Sequence, residues 1–250
     1  MDTLHFSDNM SNQNRNLKTF DVSLEISKNL SPLIPNDFVK VSESGISSIE
    51  AINELKPFGY KGFLIGENFM KTDNAGKAAT EFIANLNIKP TWVMYAAGVL
   101  VDNDSAIHNQ EVWENNVYVN YTGAVSILNE LIHDNNPYLS RIIGITSIAG
   151  LRGRKSNFIY GSAKSGLHQY LFGLRQYLKS YNIIVQAITP GFVNTKMTKN
   201  VPLNKLANSA DEIADAIISN TKSFEVYPNL FWRILSKIIK YAPEFIIAKL

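Results

Sequence analysis

The chain has 250 residues, 45% of them hydrophobic and 18% charged, which is enough apolar material for one substantial core within the size range of a single α/β domain. Its 24 basic and 22 acidic side chains leave a formal net charge of +2; this offers no field for nucleic acid and points to a neutral small-molecule partner. With no cysteine, disulfides, thiolate zinc sites and iron–sulfur clusters are excluded, and a reducing cytoplasm is the expected compartment. The four histidines, His5, His108, His133 and His168, stand far apart in no metal-ligand spacing, so no metal site is expected.

The opening MDTLHFSDNMSNQNRN has neither the basic start nor the apolar run of a secretory signal. No later stretch offers the roughly 20 uninterrupted apolar residues of a transmembrane helix. After residue 37, short strand-like runs alternate with longer helical ones, the pattern of βαβ units around a parallel sheet. The expected strands are FVKV (38 to 41), GFLIG (62 to 66), TWVMY (91 to 95), RIIGITS (141 to 147) and NIIVQAIT (182 to 189). Between them lie expected helices near 46 to 56, 75 to 86, 108 to 133, 158 to 180 and 211 to 220. Pro57, Pro90 and the Asn135-Asn136-Pro137 run fall where helices should stop. RIIGI and IIVQAI read as continuous apolar runs because parallel strands are buried on both faces. No repeat or linker divides the chain, so residues 1 to 250 are read as one domain, an α/β fold with a doubly wound parallel sheet and helices on both faces.

In such a sheet, ligands bind beyond the carboxyl ends of the strands. The residues there are Ala96-Ala97-Gly98 after the third strand, Ser147 after the fourth and Pro190-Gly191 after the fifth. Ser147 is followed by Tyr160 and, four residues later, by Lys164, so phenol and ammonium share one helix face. Tyrosine titrates near pH 10, and a fixed cation beside it favours the phenolate. A serine hydroxyl facing the same spot can orient a carbonyl or alcohol oxygen for proton exchange. Of the 11 tyrosines, only Tyr160 has a lysine four residues on; taken alone, the pair reads as a solvated helix face with a serine-rich turn.

The joint pattern is more specific. Asn120 in VYVNYTG, Ser147 in ITSIAG, Tyr160 and Lys164 in YGSAK, and the segment PGFVNT resemble the short-chain dehydrogenase/reductase family in order and spacing. The resemblance runs from roughly the third strand to the C-terminus and implies a Rossmann-like fold. It implies Tyr160 as general acid/base, Lys164 as the cation that lowers its pKa and holds the nicotinamide ribose, Ser147 on the substrate oxygen and Asn120 anchoring a relay water. YAAG at 95 to 98 is similar to the family's NNAG turn, keeping Ala97 and Gly98 but placing Tyr95 and Ala96 where asparagines stand. Pro190, Gly191, Val193 and Thr195 match the segment that lies along the nicotinamide amide. The family's glycine-rich phosphate turn falls on SDNMSNQNRNL (7 to 17), which has no glycine. Ser7, Asp8, Asn12 and Asn14 fall at the turn's positions, and Arg15 suits the start of the first helix and is counted with them as cofactor-binding. Asparagine tolerates positive φ, whereas Asp8 sets a negative charge where phosphates would lie. The implied cofactor is NAD or NADP; Glu43 suits the ribose hydroxyls of NAD, and Arg15 or Lys40 a 2′-phosphate.

Two readings follow. One is an NAD(P)-dependent oxidoreductase acting on a carbonyl or alcohol of a largely apolar small molecule. The other is a relative that has lost the dinucleotide and works as a non-redox acid/base enzyme or a binding scaffold. Residues 192 to 250 are expected to supply a substrate lid and C-terminal helices, with Phe192, Met197, Val201, Leu203, Leu206, Tyr227, Phe231 and Trp232 lining an apolar cleft. The tail FWRILSKIIKYAPEFIIAKL is amphipathic and basic; it suits a membrane surface, the protein body or a second subunit. The resemblance implies a homodimer or homotetramer formed through the helices at 108 to 133 and 158 to 180.

Overall fold

The computed structural model describes residues 23–247 apart from 36, 44, 67, 68, 70, 71, 73, 74, 88, 134, 135 and 199–205. Ser7, Asn12, Asn14, Arg15, Val201 and Leu203, and the strand expected before the phosphate turn, lie outside the described residues. The chain forms two compact units, Met1–Ile88 and Lys89–Leu250.

The first unit holds α1 (Glu25–Leu30), β1 (Lys40–Glu43), α2 (Ile49–Leu55), β2 (Tyr60–Leu64) and α3 (Ala75–Ala84). Its strands pair in parallel as a two-stranded sheet. The Ser48 hydroxyl caps α2 by accepting from Ala51 N, satisfying one of the unpaired amides of the first turn. Pro57 opens the 3-10 turn that follows, and Gly59, at φ 85°, ends it. Ile46, Ile52, Leu55 and Tyr60 form this unit's core.

The second unit runs β3 (Trp92–Tyr95), α4 (Asn103–Ile107), α5 (Gln110–Val117), α6 (Gly123–His133), β4 (Arg141–Ile145), α7 (Phe158–Tyr177), β5 (Ile184–Ile188), α8 (Ala210–Ser219), β6 (Glu225–Val226), α9 (Leu230–Tyr241) and α10 (Glu244–Ile247). Its four strands form one parallel sheet in the order β3-β4-β5-β6. Neighbouring residues of a strand face opposite sides of a sheet, and β4 shows both sides covered. Ile143 packs with Ile217 of α8, while a methyl group on Gly144 would collide with Leu171 of α7. Ile142, Ile143, Val185, Ala187 and Ile188 are all buried, as their unbroken apolar runs require. Leu167 and Leu171 are each fully buried, worth about 1.5–3 kcal/mol apiece.

Two elements depart from expectation. The helix expected over 108 to 133 is broken: Asn109 caps α5 by accepting from Val112 N, and a π-helical turn, Tyr118–Thr122, separates α5 from α6. β6 has only two residues, too few to show a strand's alternation. Arg141, inside an apolar run, is buried; it donates to Gln186 Oε1 and to the carbonyls of Ile217 at 2.7 Å and Asn220 at 3.0 Å. Its charge thus sits at the negative C-terminal end of α8.

Candidate active site

Ser147 lies just beyond β4 and opens a 3-10 turn, Ile148–Gly150, its Oγ accepting from Ala149 N at 3.1 Å. Neighbouring bonds fix this point against the end of β5: Ile148 N donates to Pro190 O at 3.0 Å, and Thr146 Oγ1 contacts Ile188 O at 2.9 Å and Thr189 Oγ1 at 3.0 Å. Two glycines then let the turn press on α7. A Cβ on Gly150 would stand 2.8 Å from the Lys164 carbonyl carbon, and one on Gly161 2.7 Å from Ala149 O. That close approach brings Tyr160 near enough to Ser147 for the serine hydroxyl to draw its pKa downward. One turn later Lys164, 2% exposed, donates from Nζ to Ile145 O at 3.0 Å. Its Nζ is 5.9 Å from the centre of the Tyr160 ring.

Burial decides the protonation of this pair. It raises the Tyr160 pKa above the ordinary phenol value, against the opposing pull of the Ser147 hydroxyl, and it lowers Lys164 to about 8. Burial of both groups thus opposes the depression of the phenol that Lys164 is expected to bring. At neutral pH Tyr160 holds its proton.

Asn120 sits in the π-helical turn, where one inserted residue turns its side chain toward the loop after β3. Its Nδ2 donates to Val99 O at 2.8 Å and Asn116 O at 3.0 Å, while Oδ1 accepts from Val99 N at 3.3 Å. Asn120 thereby holds the turn that carries Gly98. The space that a Gly98 side chain would fill is bounded by Asn120 Oδ1 at 3.2 Å, Lys164 Nζ at 3.4 Å and Met197 Cε at 3.6 Å. In the sequence Tyr95 marks only the loss of an asparagine. The structure gives it a position of its own: buried, with its hydroxyl donating to Val119 O at 2.6 Å and its pKa pushed by burial to about 12.

Beyond β5, Gly191 is covered by Trp232 of α9: a Cβ there would lie 2.3 Å from the indole ring. Trp232 Nε1 donates to Leu206 O at 3.2 Å. The ring is buried with Ile148, Ile239, Ala242 and Ile247, so Trp232 is a core residue and not an open cleft wall. Phe192, Met197 and Leu206 are exposed. Val193 bridges Asn208, and Thr195 N donates to Thr198 Oγ1 at 3.1 Å. Ala97 is exposed beside Gly98. Glu43 ends β1 in the first unit, and Lys40 is engaged there by Ser31 O at 2.7 Å and Ser31 Oγ at 2.8 Å. A cavity of about 500 Å³ lined by Trp113, Val117, Leu151, Phe158, Ser162 and Ser165 borders other residues of α7 than Tyr160 and Lys164.

The profile of the short chain dehydrogenase family matches residues 39–206. The chain belongs to the short-chain dehydrogenase family. An uncharacterized oxidoreductase of Staphylococcus epidermidis is 28% identical over 152 residues, 58% of this chain and 63% of that protein. A short chain dehydrogenase of Burkholderia cenocepacia, solved in complex with NADP, superposes with a TM-score of 0.64 at 17% identity, covering 84% of this chain and 96% of that one. One from Sphingobium yanoikuyae, in complex with NADPH, gives 0.62 at 15% identity over 84% and 87%. These likenesses show the fold. A separate similarity joins this chain to indole-3-glycerol phosphate synthase of Bacteroides thetaiotaomicron, 49% identical over 70 residues, 28% of this chain and 27% of the synthase. The matches thus span 63% of the oxidoreductase and about a quarter of the synthase.

Proposed function

We propose that the protein is an NAD(P)-dependent oxidoreductase that interconverts a carbonyl and an alcohol on a largely apolar small molecule. The observation that carries this reading is the convergence of Ser147, Tyr160, the buried Lys164 ammonium and the Asn120 side chain around the ends of β3, β4 and β5. The residues present fit the nicotinamide-ribose end of the cofactor. Gly98 leaves a space bounded by Asn120 Oδ1 and Lys164 Nζ. Lys164 Nζ, with three donors, has one acceptor among the described residues, leaving capacity for ribose hydroxyls. The cofactor, when bound, supplies or accepts hydride.

The chain's own part is proton transfer and orientation. Ala149 N occupies one acceptor site on Ser147 Oγ, and the single Ser147 O–H donates to a substrate oxygen when one is bound. Tyr160, held protonated by its burial, gives its proton to that oxygen as a carbonyl is reduced, and takes one back in the reverse direction. Asn120 is a positioning residue that keeps Gly98 and the relay geometry in place. Phe192, Met197 and Leu206 offer apolar contact for the substrate. NAD is favoured only by Glu43, and the preference between NAD and NADP rests on that residue. Replacing Tyr160 by phenylalanine should lower carbonyl reduction by about 10²–10⁴-fold while nicotinamide fluorescence still reports binding; unchanged turnover removes Tyr160 from the mechanism.

The same reading places the protein in the cytoplasm as a homo-oligomer built on α5, α6 and α7, the helices that resemble the family's interface. No helix among the described residues is long and apolar enough to cross a membrane. α9 nevertheless suits a membrane surface. At 100° per residue, Leu230, Phe231, Ile234, Ile238 and Tyr241 share one arc, and all five are exposed. Trp232, Ser236 and Ile239 face the core. Arg233, Lys237 and Lys240 border the exposed apolar arc, and the helix carries no acidic residue. That combination of apolar stripe and flanking cations matches an anionic bilayer.

A further inference from the structure

We propose that Tyr95 is a positioning residue of the candidate active site: its hydroxyl fixes the π-helical turn that aims Asn120, and so sets the pose of the loop that carries Gly98. The kinetic part of this inference rests on the oxidoreductase reading above and deepens it; the structural part stands without it.

Tyr95 is the last residue of β3, and Asn120 is the middle residue of the turn Tyr118–Thr122. In a regular α-helix the Gly123 amide would donate to Val119 O, four residues back. Here it donates to Tyr118 O, and Val119 O accepts the Tyr95 hydroxyl at 2.6 Å. A backbone carbonyl displaced from the helical ladder needs another partner, and the phenol reaches across from the strand end to be one. The approach depends on a glycine. A Cβ on Gly123 would stand 3.1 Å from Tyr118 O and 3.3 Å from the Tyr95 hydroxyl, crowding both ends of the arrangement.

The consequence runs directly to the site. Asn120 and Asn116 both donate from Nδ2 to Val99 O, at 2.8 Å and 3.2 Å, and Asn120 Oδ1 accepts from Val99 N at 3.3 Å. The loop from Tyr95 to Val99 is thus fastened at both ends to consecutive residues of one turn: the Tyr95 side chain holds Val119, and the Asn120 side chain holds Val99. Gly98 lies between these fastenings, its vacant Cβ position 3.4 Å from Lys164 Nζ. A turn released at Val119 O is free to rotate the Asn120 side chain away from Val99, and the Gly98 loop then loses its hold beside Lys164. Burial keeps the Tyr95 phenol neutral, its pKa pushed up to about 12, so the hydroxyl remains a donor throughout the neutral range and takes no proton from substrate.

Two variants of the full chain test this. Tyr95→Phe removes the hydroxyl and keeps the ring, whereas Gly123→Ala keeps the hydroxyl and pushes it from Val119 O. Both are read first without cofactor, by amide hydrogen exchange in NMR spectra. The Val99 amide should exchange about tenfold faster or more in each variant, while the Ala187 amide, bonded to Phe224 O at 2.8 Å, keeps its rate. In carbonyl reduction with NADH or NADPH, Tyr95→Phe should lower kcat about tenfold with little change in substrate KM and no change in the shape of the pH profile. Tyr95→Phe/Asn120→Ala should be no slower than Asn120→Ala alone, because the first residue acts through the second. Unchanged Val99 exchange, equal acceleration of the Val99 and Ala187 amides, or rate losses that add in the double variant overturn the inference and leave the oxidoreductase reading intact. Faster Val99 exchange in a protein that reduces no apolar ketone upholds the hold of Tyr95 on Asn120 and overturns the oxidoreductase reading.

Discussion

Replacing Gly191 by alanine puts a methyl carbon inside the indole of Trp232. The new Cβ would lie 2.3–2.4 Å from three ring carbons, so either the ring or the Pro190-Gly191 backbone must move by about 1 Å to restore ordinary contact. The backbone is held because Pro190 O accepts from Ile148 N, which leaves the ring to give way. Overpacking of this kind costs about 1–3 kcal/mol. A displaced ring also loses the Trp232 Nε1 bond to Leu206 O, worth about 0.5–1.5 kcal/mol. The total is about 2–4 kcal/mol, read as a lowered urea midpoint at unchanged slope by far-UV circular dichroism. Gly173 is the control: it lies in α7 with nothing within 4 Å of its added Cβ, so Gly173→Ala should stabilise by about 0.5–1 kcal/mol. Equal midpoints for Gly191→Ala and the natural protein would refute the packing of α9 on the loop after β5.

Lys164 makes a pH-dependent prediction. Its folded pKa, about 8, lies below the unfolded value near 10.4, so between these limits the unfolded chain binds more protons and stability rises with pH. Below about pH 8 the charged amine in its buried position lowers stability, at roughly 1.4 kcal/mol per pKa unit. Lys164→Met should flatten the rise in urea midpoint between pH 7.5 and 9.5, and parallel profiles would show that the amine is not buried as described. For α9, sedimentation with vesicles containing anionic lipid should carry the protein down at low salt and release it at high salt. An Ile234→Ser/Ile238→Ser variant should stay in solution, and equal sedimentation of both proteins would rule out the helix as the contact.

The candidate site was legible because it depends on short spacings. Tyr160 and Lys164 are one turn apart whatever surrounds them, and β4 and β5 announce their burial by unbroken apolar runs. Contacts between distant segments left no such mark. Nothing in Gly191 or Trp232 alone shows that one covers the other, and Arg141 looks like a strand terminus until α8 brings its last carbonyls over it. The division into Met1–Ile88 and Lys89–Leu250 was hidden for another reason: both units are built from βα segments, so the local alternation continues through the boundary.

The π-helical turn at Tyr118–Thr122 also constrains how this chain can change length. Removing one residue there would restore a regular helix, but it would rotate everything on one side through about 100° relative to the other. Either Asn120 would part from Val99, or Leu128 and Leu131 would swing out of the core they now fill. Many single substitutions along α6 can be absorbed by repacking, whereas a one-codon deletion forces a choice between the site and the fold. The turn acts as a phase lock, and alignments that close this gap to improve helical continuity would misplace every residue beyond it.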